Sequence, residues 1–333
     1  MPRVSVLLPA WNAADTLEAC LASLHRQTEP DWEAVVVDDG SSDATARVVS
    51  EAALRDPRLA VVVRPHRGVV AALRAGLDKC RGTYVARMDA DDVMRRDRLR
   101  AQADALDAAP SLVGVSCHVR ICPRRNLTGG LRQYERWLNG IATPGDVRRD
   151  AFVECPVAHP TLMMRREALA RLGYRDVPWP EDYDLVLRAL AAGLRIGVVP
   201  RRLVAWRDGP SRLSRTDPRY AREAFAACKA HYLAHGFLAR TEAYVLWGYG
   251  GTGRALRRAL AAHARRPAAV VEVSPRRIGQ RIHGAPVISP ADLPAWRGAP
   301  IVVSVAHAGP RALVRAALAA MGFTELKDYV CAA

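Results

Sequence analysis

The sequence of 333 residues has little lysine, few aromatic residues and no long apolar run. Of its 49 basic residues only three are lysine, and aromatic residues make up 6% of the chain. The excess of arginine is spread along the chain, whereas a nucleic-acid-binding surface needs basic residues clustered on one element with interleaved aromatics. No apolar run reaches the roughly 18 residues that cross a bilayer. These absences argue against binding of nucleic acid and against a transmembrane segment.

The seven cysteines form no CxxC pair and no cluster with histidine at the spacing of a zinc site, so we expect reduced thiols. The first residues, MPRVSVLLPAWN, lead directly into a strand-like segment, which argues against a signal peptide. Together these features predict a cytoplasmic protein. The formal charge of +15 favours anionic partners, such as nucleotide diphosphates or, by peripheral contact, the acidic inner face of a membrane.

A chain about twice the typical domain length of ~150 residues is expected to form two domains. The N-terminal part alternates strand and helix patterns, with predicted strands at 4–8, 34–37, 59–63 and 83–88. Such repeated units imply a mostly parallel sheet covered by helices on both faces. A second pattern of strand, glycine loop and helix begins near residue 243. The predicted domains are therefore an α/β domain over 1–238 and a small Rossmann-like α/β domain over 239–333.

Ligands of parallel α/β sheets bind outside the carboxyl ends of the strands. In this sequence the segments after the four predicted strands are 9–12, 38–41, 65–68 and 89–92. Two of the four are acidic, and a third carries Arg67 beside a glycine at a helix start, where backbone N–H groups favour anions. We expect the four loops to meet at one site.

Asp89-Ala90-Asp91 is the sharpest local feature of these loops. Two carboxylates at i and i+2 just past a strand can hold a hard divalent cation and leave coordination positions for a phosphate. A bare DxD is more often a solvated acidic turn that caps the next helix, so the motif alone leaves both readings open. Asp92 either joins the site or caps the helix that follows.

Seven segments, in order along residues 1 to 235, resemble the family-2 glycosyltransferases of the GT-A fold. They are VSVLLPAWN, VVVDDGSSD, HRGVVAALRAGL, ARMDADD, AHPTLMMRREAL, EDYDLVLRALAAG and WRDGPSRLSRT. The resemblance implies a GT-A-type, mostly parallel sheet flanked by helices. It also implies an enzyme of polysaccharide biosynthesis that moves a sugar from a nucleotide donor.

By this resemblance the loops after the first two strands hold the base and ribose of the nucleotide, and Pro9, Trp11 and Asp39 occupy those places. A carboxylate at Asp39 suits the role because it accepts hydrogen bonds from an imide N–H or from ribose hydroxyls. Asp38 is equally placed by its spacing, with one of the pair acting as a helix cap. Arg67 would meet the diphosphate, and the alternative is an exposed arginine at a helix start.

The resemblance also implies that Asp89 and Asp91 hold Mg²⁺ or Mn²⁺ between the two phosphates of the donor. Such an ion neutralises the charge that develops on the nucleoside diphosphate as the anomeric C–O bond breaks. Family members often carry a downstream histidine that completes the metal site, and Gly209 stands in its place here. Metal binding could then rest on Asp91 with phosphates and water, or Asp208 could substitute as an oxygen ligand. In either case we expect a weaker or Mg²⁺-tolerant dependence on metal. His159 is less favoured, because a histidine in a strand-like segment is usually packed and hydrogen-bonded.

Glu181-Asp182 matches the ED motif of the family, in which the aspartate takes the proton from the acceptor hydroxyl. Both lie at a predicted helix N-terminus, where the helix dipole keeps a carboxylate ionised, as a general base requires. An ordinary acidic first turn is the alternative. Because the other motifs agree, we expect the catalytic role for this pair, with Asp182 as the base, and a structural role for Asp184.

A basic segment follows the predicted base and contains Arg207, Arg212 and Arg215 with Ser211 and Ser214. Segments of this kind can close over a bound diphosphate. A solvated loop is equally favoured by the sequence.

In the second pattern Gly248, Gly250 and Gly253 lie between a strand and a helix, and Glu272 ends the next strand 19 residues after Gly253. This is a dinucleotide fingerprint in its usual context, with an acid for a ribose hydroxyl. The segment reads as half of a nucleotide-binding fold, without a second half or a catalytic partner. It therefore favours binding of a dinucleotide or sugar nucleotide over hydride transfer, and a purely structural module stays open.

The main hypothesis is an inverting, metal-assisted transferase that moves a sugar, expected to be UDP-linked, to a hydroxyl of a glycan or lipid-linked acceptor. The alternative is a nucleotide-dependent oxidoreductase or sugar-nucleotide sensor that works through the C-terminal glycine loop. The sequence does not give the donor sugar, the acceptor or the oligomeric state. The main hypothesis requires that Asp39, Asp89, Asp91 and Asp182 line one cleft.

Overall fold

The protein is described by a computed structural model that covers residues 1–210 and 212–333. The chain divides into two compact units. The first comprises Met1–Val147, Val157–Val177 and Asp184–Arg212, and the second comprises Arg148–Pro156, Pro178–Tyr183 and Leu213–Ala333. The boundary between residues 238 and 239 stays a prediction about where separately folding domains meet.

The first unit is built on an eight-stranded sheet. Its strands are β1 (Val4–Ala10), β2 (Trp32–Asp38), β3 (Leu59–Val63), β4 (Tyr84–Arg87), β5 (Val93–Met94), β6 (Leu112–Cys122), β7 (Met163–Arg165) and β8 (Arg195–Arg207). They lie in the order β3-β2-β1-β4-β7-β6-β8-β5. Strands β1 to β4 are parallel, whereas β7 runs antiparallel to β4 and β6, and β5 runs antiparallel to β8.

Helices connect and cover these strands. They are α1 (Ala14–His25), α2 (Thr45–Arg55), α3 (Val69–Leu77), α4 (Arg98–Ala108), α5 (Gly129–Leu138), α6 (Pro144–Arg149), α7 (Arg166–Leu172) and α8 (Glu181–Ala191). The division between the two units falls within α6 and within α8. The first turn of α8 therefore belongs to the second unit.

Helices cover the sheet and bury the parallel strands β1, β2 and β4, whose sequences are mostly apolar, whereas only Leu59 of the edge strand β3 is buried. Every residue of β2 is buried. Leu17, Leu21 and Leu24 of α1, at i, i+4 and i+7, pack into the same core. The four predicted N-terminal strands are all present, and the predicted fold class, a mostly parallel α/β sheet followed by a smaller sheet, is confirmed.

The second unit contains a six-stranded sheet. Its elements are α9 (Leu213–Thr216), α10 (Arg222–His235), β9 (Ala243–Trp247), α11 (Gly251–Ala261), β10 (Arg266–Val271), β11 (Arg281–Ile282), β12 (Ala285–Ile288), β13 (Ile301–Val303), α12 (Ala308–Ala320) and β14 (Tyr329–Cys331). The strand order is β11-β12-β10-β9-β13-β14, and β11 pairs antiparallel with β12.

In this second sheet β13 and β14 lie on the opposite side of β9 from β10 and β12. The sheet thus extends in both directions from its first strand, which is the order of doubly wound α/β sheets. The expectation of a half-fold without a second half is wrong in this respect. Ile301–Val303 lies in the apolar segment PIVVSVAH, which the sequence pattern shows, whereas YVC carries too few residues to be recognised as a strand by pattern alone.

Within the described residues, none of the helices combines the length and the apolar character that a membrane crossing needs. The seven cysteines are free in the same part of the chain, and six of them are buried.

Candidate functional site

The loops that follow β1, β2 and β3 contact one another at the carboxyl end of the sheet. The ring of Trp11, 54% exposed, stacks on His66 with 4.6 Å between ring centres and 26° between planes. The N–H of Asn12 donates to Ser41 Oγ at 2.9 Å, and Asn12 Oδ1 accepts the N–H of Ser42 at 2.9 Å. These three loops therefore form one surface, with an exposed pair of flat rings.

Asp39 lies among these loops and is 3% exposed. Its Oδ2 accepts the N–H groups of Arg67 at 3.1 Å and Gly68 at 2.7 Å, at the start of α3, and lies 2.9 Å from His66 Nδ1. Gly68 adopts φ +84°, a conformation that glycine tolerates, and in this conformation its N–H points at the carboxylate of Asp39. Asp38 bonds within its own loop. Of the acidic pair, Asp39 is thus the one that holds a helix start.

The other predicted residues of this surface differ in exposure. Pro9 is half-buried within β1, and Arg67 is exposed while its backbone N–H is held by Asp39. The side chain of Arg67 can therefore reach an anion in front of α3 without breaking that hydrogen bond.

Three aspartates, Asp89, Asp91 and Asp92, follow β4 and form an acidic cluster in which one carboxylate oxygen of each lies within 4.8 Å of one oxygen of each of the others. Asp89 and Asp91 are half-buried, and Asp92 is fully buried. Asp92 Oδ1 accepts the N–H of Arg207 at 2.7 Å, whereas its Oδ2 is buried without a hydrogen-bond partner among the described residues. Hard oxygen donors with one orphaned buried oxygen fit Mg²⁺ or Mn²⁺. Asp92 thus belongs to the acidic cluster and does not cap α4.

The electrostatics of the acidic cluster favour a bound cation. Burial, and then the charges of Asp89 and Asp91, hold the pKa of Asp92 well above its usual range. Burial and the charge of Asp89 also raise the pKa of Asp91. For Asp89, burial acts to raise the pKa, but the charges of Arg87 and Arg212 outweigh it and the pKa is lowered. A divalent cation would offset the repulsion among the three carboxylates.

Two buried arginines that the sequence does not single out support the acidic cluster. Arg87 Nη2 donates to Asp89 Oδ1 at 2.6 Å. Arg98, fully buried in α4, donates to the backbone oxygen of Arg87 at 2.8 Å and to Gln102 Oε1 at 2.9 Å. The signal in the sequence is the arginine inside the strand ARMDADD, because a charge buried in a strand requires a charged or polar partner.

The end of β8 lies against the acidic cluster. Besides the hydrogen bond to Asp92, Arg207 donates from Nε to the backbone oxygen of Asp91 at 2.8 Å. Gly209 follows two residues later, and no atom of the described residues lies within 4 Å of where a Cβ would stand on it. Asp208 is not a member of the cluster in the part of the chain that the structure describes.

The predicted lid begins at the same strand end. The guanidinium carbon of Arg212 lies 4.5 Å from the ring centre of Trp206, which holds the cation over an aromatic face. Ser214 and Arg215 belong to α9 of the second unit, and Ser211 lies outside the described residues. Arg212 therefore places a positive charge on the first unit, near enough to the acidic cluster to act on Asp89.

His159 is packed inside the first unit. It is 7% exposed, and its Nε2 lies 3.0 Å from the hydroxyl of Tyr174. Burial, together with the charge of Arg87, lowers the pKa of His159 well below its usual range, so the ring is neutral at neutral pH. The side chain lies outside the acidic cluster of the described residues and is packed as expected, but His159–Thr161 forms a 3-10 helix and the strand begins only at Met163.

In the second unit, the first turn of α8 carries Glu181 and Asp182. Glu181 is 2% exposed and accepts the hydroxyl of Tyr220 at 2.8 Å. Burial, and then the charges of Glu181 and Asp182, hold the pKa of Tyr220 well above its usual range, so this hydroxyl keeps its proton and donates it. Asp182 is half-buried, and its Oδ1 accepts the N–H of Tyr183 at 2.7 Å. Asp182 is the more accessible carboxylate of the pair.

The glycine loop of the second unit, residues 248–253, joins β9 to α11. Gly248 adopts φ +95°, and a Cβ on it would lie 2.8 Å from the backbone oxygen of Ser304. A Cβ on Gly253 would lie 2.2 Å from the backbone oxygen of Gly248. Both positions therefore require glycine. At Gly250, by contrast, no atom of the described residues lies within 4 Å of a Cβ.

Two polar side chains flank the glycine loop. Ser304 is 3% exposed, and its Oγ is buried without a hydrogen-bond partner among the described residues. Glu272, directly after β10, accepts the N–H of Tyr249 at 3.0 Å and pairs with Arg277 at 3.1 Å. The contacts of Glu272 in the structure thus hold the glycine loop in place, whereas the sequence predicts that this carboxylate binds a ribose hydroxyl.

The structure brings the predicted residues together in separate groups. Trp11 and Asp39 share the surface formed by the first three loops, and Asp89 and Asp91 share the acidic cluster. Asp182 belongs to the second unit. The cleft common to all four aspartates stays a prediction.

A family model described as "Glycosyl transferase family 2" matches residues 5–173. The amylovoran biosynthesis glycosyltransferase AmsE of Erwinia amylovora is 30% identical over 209 residues, which cover 62% of this chain and 76% of AmsE. The match to this chain covers 63% of the length of one further curated relative and 33% of the length of another.

Two solved structures are similar to this chain. The mannosyltransferase PcManGT from Pyrobaculum calidifontis, in complex with GDP-Man and Mn²⁺, matches with a TM-score of 0.50 and 25% identity over 79% of this chain and 69% of its own. S. aureus TarS 1–349 in complex with UDP-GlcNAc matches with a TM-score of 0.54 and 18% identity over 78% of this chain and 72% of its own. At that identity, the likeness to TarS shows the fold.

Proposed function

The chain belongs to glycosyltransferase family 2, and we propose that it transfers a sugar from a nucleotide-sugar donor to a hydroxyl of a glycan or lipid-linked acceptor, with inversion at the anomeric carbon. The observation that carries the proposal is the acidic cluster at the carboxyl end of the sheet, in which Asp92 Oδ2 is buried and has no hydrogen-bond partner among the described residues. A cation at such a place would stabilise a diphosphate leaving group. The similar PcManGT structure holds GDP-Man with Mn²⁺.

In the proposed reaction Asp182 takes the proton of the acceptor hydroxyl. The acceptor oxygen forms its bond to the anomeric carbon as the bond from that carbon to the diphosphate breaks on the opposite side, so the configuration inverts. The position of Asp182 in the first turn of α8 supports this role, because the helix dipole favours the ionised form. Glu181, held by Tyr220, positions that turn.

The proposed metal ligands are Asp89 and Asp91, joined by Asp92. These carboxylates would hold a divalent cation, which would supply positive charge to the departing nucleoside diphosphate. Arg87 fixes the orientation of Asp89 through their 2.6 Å ion pair. A set of carboxylates without a histidine favours the hard cations Mg²⁺ and Mn²⁺.

The proposed nucleotide surface is formed by Pro9, Trp11 and Asp39. The stacked rings of Trp11 and His66 offer a flat face for a base. Asp39 holds the start of α3, where the helix dipole and the side chain of Arg67 favour the diphosphate. A UDP-linked donor is our proposal for this surface.

Screening a panel of nucleotide sugars for diphosphate release tests the proposed activity. We expect release from a UDP-linked donor in the presence of Mg²⁺ or Mn²⁺. An absorbance change of NAD(P)H with a sugar nucleotide, without release of diphosphate, would instead favour an oxidoreductase that works through the glycine loop.

The proposed lid predicts a donor-binding role for Arg212. Arg212→Ala is expected to raise the donor KM about tenfold with a smaller change in kcat, because one charge-assisted hydrogen bond is worth ~1.5–3 kcal/mol. Steady-state kinetics with donor varied at saturating acceptor measures this. Arg47→Ala, which removes an exposed arginine paired with Glu51 on α2, is the matched control. An unchanged donor KM in Arg212→Ala would remove the lid role.

For the second unit, we infer a nucleotide or sugar-nucleotide site at the glycine loop. Its support, within the residues that the structure describes, is the two positions that admit only glycine, the open space at Gly250 and the buried hydroxyl of Ser304, which has no hydrogen-bond partner there. Backbone N–H groups at the start of α11 would face an anion there.

Gly250→Ala is expected to weaken binding at the glycine loop roughly tenfold, because a methyl group would occupy space that a phosphate needs. The fold should persist, since the Cβ meets no described atom. Calorimetric titration of the full chain with NAD, UDP-sugars and S-adenosylmethionine measures the binding. Binding that is present in the wild type and lost in Gly250→Ala takes place at the glycine loop. Absence of binding at millimolar ligand would favour a purely structural module.

A further inference from the structure

Three histidines of the second unit form a cluster that the proposed reaction does not use. His231 and His235 lie one turn apart on α10, and His263 follows the end of α11 by two residues. One ring nitrogen of each histidine lies within 4.8 Å of one ring nitrogen of each of the other two. We propose that this histidine cluster binds a divalent transition metal, Zn²⁺ before others, and so ties the end of α10 to the end of α11.

The spacing of the rings supports a shared ligand. The ring centres are 4.6 Å apart for His231 and His235, 5.8 Å for His231 and His263, and 5.5 Å for His235 and His263. Zn–N bonds of ~2.0–2.1 Å at tetrahedral angles place the centres of three imidazole ligands roughly 5 Å apart. Small movements of these side chains would therefore complete a three-histidine site with one position left for water.

A hydrogen bond within α10 orients the ring of His235 for metal binding. His235 Nδ1 lies 2.7 Å from the backbone oxygen of His231, the residue one turn earlier. With Nδ1 donating to that oxygen, the neutral ring carries its lone pair on Nε2. Ring nitrogens of metal-binding histidines are commonly oriented by such a bond to a backbone carbonyl.

The donor atoms of the cluster and the charge next to it favour a transition metal. The cluster contains nitrogen donors and no carboxylate in the part of the chain that the structure describes. Arg265 donates to the backbone oxygens of Ala234 and His263, at 3.3 Å each, and brings a positive charge to the same helix ends. A hard cation held by charge, such as Mg²⁺, is disfavoured here, whereas imidazole suits Zn²⁺, Ni²⁺ and Cu²⁺.

Zinc titration of the untagged full chain at neutral pH, with excess Mg²⁺ to occupy the acidic cluster, tests the proposal. We expect one equivalent of Zn²⁺ to bind, and His235→Gln and His263→Gln each to weaken it at least tenfold. His25→Gln, which changes a surface histidine of α1, and Asp91→Asn should leave the affinity unchanged. Unchanged affinity in both histidine variants, or loss of the site in Asp91→Asn, would overturn the proposal.

A second readout does not depend on how the variants fold. Substitution of Co²⁺ into the wild-type chain should give the visible absorption of a tetrahedral site, and one equivalent of Zn²⁺ should remove it. Zn²⁺ should also raise the midpoint of thermal unfolding of the wild-type chain, since a ligand that binds only the folded state stabilises it. A Co²⁺ spectrum of octahedral, oxygen-ligated ion alone would count against the histidine cluster.

Discussion

Replacing Asp182 with asparagine is expected to lower the kcat of sugar transfer by roughly 10²–10⁴-fold, the contribution of a positioned general base. Asparagine has the same shape, and its side-chain oxygen can still accept the N–H of Tyr183, so the first turn of α8 is kept. The amide cannot take the proton of the acceptor hydroxyl. Donor affinity should stay close to the wild-type value, which calorimetry measures separately from turnover.

Glu181→Gln is the matched control for that experiment. The amide oxygen of glutamine can still accept the hydroxyl of Tyr220, and Glu181 is too buried to meet an acceptor. We therefore expect a much smaller loss of kcat than in Asp182→Asn. Retained turnover in Asp182→Asn would refute the assignment, and loss of turnover in Glu181→Gln alone would exchange the two roles.

The strands that could be predicted from the sequence are those with short, nearly continuous apolar runs. β1 to β4 read as short apolar runs that alternate with helix patterns, so pattern alone locates them. β6 and β8 are longer and carry arginines such as Arg120 and Arg202 among their apolar residues, which hides their strand character. The insertion of β7 between β4 and β6 depends on pairing between distant segments, and no local pattern encodes it.

The candidate site was predictable to a similar extent. Asp89 and Asp91 follow from a motif at a strand end, but the role of Asp92 depends on Arg207, 115 residues later in the chain. The support from Arg98 through Arg87 likewise joins α4 to β4. Spacing placed Asp38 and Asp39 equally, and only the approach of the α3 start to Asp39 distinguishes them.

Removal of divalent cations is expected to lower transfer by roughly 10²–10³-fold, because the cation stabilises the leaving diphosphate by several kcal/mol. Activity lost in EDTA should return with Mg²⁺ or Mn²⁺. Asp91→Asn should give a comparable loss that added metal restores only in part. Asp91 is a cleaner target than Asp89, whose replacement would also disturb the buried Arg87.

Asp208→Asn is the control for the metal requirement, since Asp208 lies outside the acidic cluster of the described residues. We expect its dependence on metal concentration to match the wild type. A loss equal to that of Asp91→Asn would make Asp208 a ligand, and full activity of the wild type in EDTA would refute the metal role.

Gly209→His is expected to strengthen metal binding at the acidic cluster, whereas Asp91→Asn weakens it. Arg207 fixes the strand end beside Asp91 and Asp92, and no described atom lies within 4 Å of a Cβ on Gly209, so a side chain fits there. An imidazole would add a nitrogen ligand, which Mn²⁺ accepts more readily than Mg²⁺. The Mn²⁺ concentration for half-maximal activity should therefore fall about tenfold, the scale on which ligand surroundings change metal affinity. An unchanged Mn²⁺ requirement would mean that position 209 does not face the cation.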